Sequence, residues 1–267
     1  MGNPNPADSA ANLPFVAHLV ELRTRLLWTV GVLVGLIVVL LPFANPLYET
    51  LARPMMAVLP TGTKMIATEI TSPFLTPFKF TAFFAFFIAI PYVLYQAWAF
   101  VAPGLYSTEK RIIAPLIISS SVLFYVGVSF CYFVVLPIGL GFLTRSAPAN
   151  VDVLPDISHY LNFAMKMSLA FGFAFEVPVA TVLIIRMGIS SISGLAAKRR
   201  YIILGAFVLG AIFTPPDVLS QFLLAVPLWL LFEAGLIAAR FLVPKELQEQ
   251  GKEDEEPSIG DSLKRNE

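Results

Sequence analysis

Residues 26–43 read LLWTVGVLVGLIVVLLPF, eighteen positions without one charged side chain. As a helix such a run covers about 27 Å, close to the roughly 30 Å of a bilayer's hydrocarbon core. Further apolar runs follow at 80–101, 112–136 and 161–185, then shorter ones at 201–213 and from Val218 to about Phe232. The spacing predicts an all-α integral membrane protein of six transmembrane helices, with spans five and six short. The composition agrees: 57% of the 267 residues are hydrophobic, 13% are charged and the mean hydropathy is +0.77. A soluble domain carries about 25% charged residues.

The polar segments organise the chain into three parts. Residues 1–25 form an N-terminal segment in which Phe15, Leu19, Leu22 and Leu26 share one helical face and His18, Glu21 and Arg25 another. That pattern predicts an amphipathic helix on the membrane surface before the chain turns inward. Residues 26–244 are the membrane domain. Residues 245–267 hold eight acidic and four basic residues and almost nothing apolar, a composition expected of a disordered tail. Between spans one and two lies a loop of some 35 residues rich in Pro, Thr and Gly; residues 137–160 make a second. Thr214-Pro-Pro-Asp217 is a tight turn.

Basic residues near the span ends set the orientation. Arg23, Arg25, Lys110, Arg111, Arg186, Lys198, Arg199, Arg200, Arg240 and Lys245 fall on one side, and Arg53, Lys64, Lys79 and Arg145 on the other. Ten against four places both termini in the cytoplasm. A 13-residue span five rises only about 20 Å, so the bilayer should thin around it. Pro91, Pro178 and Pro227 sit within spans and should bend them. Gly31 and Gly35 make a GxxxG pattern whose simplest meaning is close packing.

Several function classes lose support. The net charge is zero, which gives no case for nucleic acid. The chain has no G-x-x-x-x-G-K-[ST] loop for ATP and no H-E-x-x-H. Its one cysteine, Cys131, allows no internal disulfide or cysteine metal site. His18 and His159 are expected on opposite sides of the membrane. No cofactor and no metal is predicted, and residues 1–12 lack the features of a removable targeting peptide.

Three acids remain. Glu21 reads first as an i,i+4 partner of Arg25, and Glu109 as a first-turn acid on span three. Glu176 lies about 15 Å from the cytoplasmic end of span four. An acid so deep must be protonated, paired or wet, so it marks a polar site. Pro178 leaves the carbonyl of Ala174 without its helical donor.

Longer motifs carry a resemblance. HLVELRTRLL (18–27), MIATEITSPFLTPFK (65–79), PYVLYQAWAFVAPGLYSTEKR (91–111), SSSVLFYVGVSFCYFVVLP (119–137), FGFAFEVPVA (171–180) and GAFVLGAIFTPPDVLSQFLLAVP (205–227) resemble, in order, the TatC family. These are receptor subunits of the twin-arginine protein translocase. The resemblance covers His18 to Phe241. It implies a concave, glove-like bundle in a bacterial cytoplasmic (inner) membrane. It also implies that the chain binds twin-arginine signal peptides of folded cargo proteins and recruits the single-span subunits TatA and TatB for proton-gradient-driven export. Homo-oligomers within the receptor complex and contact with lipid are implied too.

By motif, Glu21, Arg23, Phe100 and Glu109 match the signal-peptide site. Glu176 matches the intramembrane acid, and Thr214 and Gln221 match the partner-docking region. Pro54 and Asp217 match functional positions in outer loops. Arginine's planar donor fork suits a carboxylate, so two rim acids could hold two adjacent arginines. A folded 300-residue cargo is about 50 Å across, too wide for six helices of about 10 Å to enclose. The alternative is a small-molecule, proton-coupled secondary transporter using Glu176. It predicts internal repeats, and the halves show none. An intramembrane enzyme lacks paired catalytic groups.

Overall fold

The computed structural model describes residues 6–60, 63–101, 113–148, 153–214 and 217–244, except for the side chains of 6–18, 101 and 113. Glu109, the Pro215-Pro216 pair and the acidic tail lie outside them. The helices are α1 (Pro6–Leu40), α2 (Ala44–Val58), α3 (Ser72–Val101), α4 (Ile113–Phe130), α5 (Leu136–Arg145), α6 (Ile157–Ala174), α7 (Val177–Arg186), α8 (Ile192–Ala197), α9 (Arg199–Phe213) and α10 (Val218–Leu242). Among the described residues, five stretches are long and apolar enough to cross a membrane: Leu19–Val58, Ser72–Phe100, Ala114–Arg145, Ile157–Arg186 and Val218–Leu242. Large apolar side chains on them face outward, among them Trp28, Val39, Phe133 and Phe241. Such surface suits lipid and is foreign to a soluble monomer.

The expected span five corresponds to α9, whose 15 residues rise about 22 Å. Three expectations need correction. The amphipathic segment does not turn at Leu26, because α1 is one unbroken helix of 35 residues. No Pro or Gly lies between Phe15 and Val30, and Arg25 binds Glu21 one turn back. The two loops are also more helical than their polarity suggested. α1 passes through a 3-10 turn at Leu41–Phe43 into α2, and α4 continues through a π-helical turn at Cys131–Val135 into α5. Finally, span six is not short: α10 has 25 residues and rises about 37 Å. Glu233, one residue past the expected end, is paired with Arg199, and the apolar sequence beyond it keeps the helix going.

The chain clusters into two compact units, residues 1–50 with 71–121, and 51–70 with 122–267. In the first, α1 packs on α3, whose Phe80, Phe87, Ile90 and Leu94 are buried. Trp98 donates its ring N–H to Ser120 Oγ at 3.3 Å, tying α3 to the start of α4.

In the second, glycines set the close approaches. A Cβ on Gly172 would lie 2.5 Å from the Phe124 ring, and one on Gly235 would lie 2.9 Å from Pro178 Cα. α10 packs along α7 and α9, and Phe232, Leu236 and Ala239 are buried there with Ile185. Segment 66–68 docks on the start of α6. Ile66 N–H donates to the Pro155 carbonyl at 3.0 Å, and Ile157 N–H donates to the Ile66 carbonyl at 2.9 Å. Tyr160 then donates its buried hydroxyl to the Leu51 carbonyl of α2 at 2.7 Å.

Candidate functional site

The sequence-predicted residues fall into separate places. Glu21 and Arg23 are on α1, with Glu21 half-buried and Arg23 exposed. Arg25 donates to Glu21 Oε1 through Nε at 2.9 Å and Nη2 at 2.6 Å. Its Nη1 donates to Gln96 Oε1 on α3 at 2.9 Å, and Gln96 donates to the Tyr92 hydroxyl at 2.7 Å. The local ion pair read from the sequence is therefore present, and it also reaches a second helix. Phe100 lies half-buried one turn beyond Gln96. The rim thus presents a carboxylate already accepting one guanidinium, held by a polar chain against α3.

Glu176 sits where span four breaks. Phe175 and Glu176 have ψ of −12° and −16°, and Glu176 N–H donates to the Phe173 carbonyl three residues back at 3.0 Å. Pro178 opens α7 at its first turn, where a missing N–H costs nothing. Both Glu176 carboxylate oxygens are shielded from solvent by the protein. Span four is therefore two helices with an acid at their joint.

Thr214 ends α9, Asp217 caps α10 and Gln221 lies in the first turn of α10. Thr214 is buried and donates its hydroxyl to the Gly210 carbonyl at 2.8 Å. Asp217 caps α10, accepting the Ser220 N–H at 2.7 Å. Gln221 donates to the Phe207 carbonyl at 2.9 Å, and a Cβ on Gly210 would lie 3.0 Å from its side chain. Pro54 is buried inside α2 rather than in an open loop.

Two polar features escaped the sequence reading. Asp156 caps α6, taking the Ser158 and His159 N–H groups on Oδ1 at 2.8 and 2.9 Å and the Thr68 N–H and hydroxyl on Oδ2 at 2.9 and 2.7 Å. These donors, the His159 and Thr68 N–H groups first, hold its carboxyl well below the usual carboxylate range. An aspartate just before an apolar run was the available signal. The other feature is Glu233, which Arg199 meets with two donors. A lone acid in an apolar run, the criterion that singled out Glu176, would have found it.

Comparison with known proteins follows this geometry. Residues 17–227 match the family Sec-independent protein translocase protein (TatC). The chain is similar to the TatC protein of Haemophilus influenzae, with 51% identity over 243 residues, 91% of this chain and 95% of that one. It is 49% identical over 232 residues to TatC of Escherichia coli K12, covering 87% and 90%. Its backbone is similar to a crystal structure of the twin-arginine translocase receptor TatC, with TM-score 0.75 and 37% identity, covering 84% of this chain and 98% of that one. The chain therefore belongs to the TatC family of multi-pass protein translocase subunits.

Proposed function

We propose that this protein is the signal-peptide receptor of a twin-arginine translocase in a bacterial cytoplasmic membrane. In this reading both termini are cytoplasmic, as the basic residues at the span ends require. One observation carries the reading most: Glu21 Oε1 accepts two donors from Arg25 at 2.9 and 2.6 Å on a chain with family-wide similarity to translocase receptors. A carboxylate that already takes a forked guanidinium suits an arginine arriving on a peptide.

The pair is partly exposed, so it is worth only about 0.3–0.5 kcal/mol and exchanges readily for a second arginine. Glu109 would take the other arginine, with Arg23 and Phe100 flanking. Charge-assisted bonds of about 1.5–3 kcal/mol each fall short of the roughly 8 kcal/mol of micromolar binding. The apolar part of the signal peptide supplies the remainder by burial. TatA and TatB would dock beside α9 and α10 at Thr214 and Gln221, where the short α9 favours a thinned bilayer. With no ATP loop in the sequence, the proton gradient drives export.

The test is photocrosslinking of a twin-arginine signal peptide to the protein in membranes, with a Lys-Lys peptide as control. Labelling should concentrate on α1 and segment 100–109 with the Arg-Arg peptide alone. Equal labelling by both peptides would overturn the receptor reading.

A further inference from the structure

A slot of about 650 Å³ opens along α5, within the range of small-molecule sites. Ile138 and Phe142 of α5 and Leu219 of α10 line it, and Arg145 and Ser146 stand at one end. Gly141 keeps it open: a Cβ there would meet nothing within 4 Å. Ser146 already donates its hydroxyl to the Phe142 carbonyl at 2.8 Å. Arg145 is exposed and has no hydrogen-bond or ion-pair partner among the described residues. The carbonyl end of α5 steadies its charge, yet five N–H donors remain to serve a ligand.

Length supplies the second argument. The helical stretch Ala114–Arg145 has 32 residues and rises about 48 Å, past the roughly 30 Å hydrocarbon core and through a full bilayer of about 40–45 Å. Arg145, its last residue, stands beyond the length that hydrocarbon alone requires of a span. Ile138, seven residues earlier, stands about 10 Å back along the helix. Cationic at its Arg145 end and apolar along Ile138, Phe142 and Leu219, the slot has the polarity order of a phospholipid.

We propose that this slot binds one anionic phospholipid, with its phosphodiester on Arg145 and an acyl chain over Gly141 between Ile138, Phe142 and Leu219. The inference stands independently of the receptor reading.

The test uses the full chain in nanodiscs doped with phosphatidylglycerol bearing a photoreactive acyl chain, with labelled peptides mapped by mass spectrometry. A matching photoreactive diacylglycerol is the phosphate-free control. Labelling by phosphatidylglycerol should concentrate on 137–146 and Leu219, and diacylglycerol should label these positions about tenfold less. Gly141→Leu should remove the label by filling the slot. Arg145→Gln, an exposed change that spares packing, should bring phosphatidylglycerol down to the diacylglycerol level. Equal labelling by the two lipids in the wild-type protein would overturn the proposal. So would full labelling of both variants, displacement of the lipid by millimolar inorganic phosphate, or a protein helix crosslinked in the slot in native membranes.

Discussion

Arg199 and Glu233 join α9 to α10 through two parallel bonds, Nε to Oε1 at 2.6 Å and Nη2 to Oε2 at 2.8 Å. Arg199 is the first residue of α9, and α10 continues from Ala234 to Leu242 beyond the pair. Those nine residues rise about 13 Å, so α9 begins well short of the end of its neighbour. At the opposite end Gln221 binds the Phe207 carbonyl. The hairpin is thus pinned at two levels, and the length deficit of α9 lies at its N-terminal, basic end.

Breaking this pair should loosen the hairpin. Glu233→Gln or Arg199→Gln should each cost about 1 kcal/mol, because the partners are partly exposed and only some of the charge-assisted bonding survives solvent. Thermal unfolding of the purified protein measures it. The double exchange, Arg199→Glu with Glu233→Arg, should recover part of the loss. A double-mutant cycle with no coupling would show that the pair contributes nothing.

Charge reversal at Glu21, and separately at Glu109, should weaken binding of a twin-arginine peptide about tenfold or more. Insertion and expression should be unaffected, since the partly exposed Glu21–Arg25 pair is worth only about 0.3–0.5 kcal/mol. Fluorescence titration with a labelled signal peptide reports the affinity. Wild-type binding by both variants would contradict the proposed roles.

At the joint of span four, Glu176→Gln and Glu176→Ala separate a polar contact from a titrating proton. Gln should retain much of the transport that Ala loses if the group serves as a polar contact with water or a partner. Both should fail if a proton must come and go. Export of a folded reporter across inverted membrane vesicles is the measurement, and full transport by the Ala variant would make Glu176 a bystander.

Asp156 gives a pH prediction. Its folded carboxyl titrates below the ordinary value near 3.9, so its stabilising effect is complete above about pH 4 and is lost as pH falls below that. The Tm of the wild-type protein should therefore drop towards that of Asp156→Asn as the medium is taken from pH 5 to about pH 3. A constant gap between the two across that range would show that the ionised form is not what holds segment 66–68.

Much of this was legible in the chain. Five of the six expected spans correspond to stretches able to cross a membrane, because hydrocarbon demands about 20 apolar residues in one helix and such runs are visible locally. The family motifs were equally plain, and Thr214, Asp217 and Gln221 sit close in sequence, at the end of α9 and the start of α10. Glu176 and Pro178 marked the break in span four, since an acid and a missing N–H within an apolar run need no tertiary information to be noticed.

What the sequence by itself determined is therefore the solvent, the all-helical class and the family. Only the tertiary structure decided which polar groups meet and where helices end. Arg25 finds Gln96 across 71 residues, Thr68 finds Asp156 across 88, and Arg199 finds Glu233 across 34. Helix ends were no more local: α10 runs past Glu233, whose charge Arg199 meets from α9. A local pattern registers whether a segment prefers lipid to water. It does not register which partner arrives from elsewhere in the chain, and in a low-dielectric surround that partner determines whether a polar group ends a helix or sits within one.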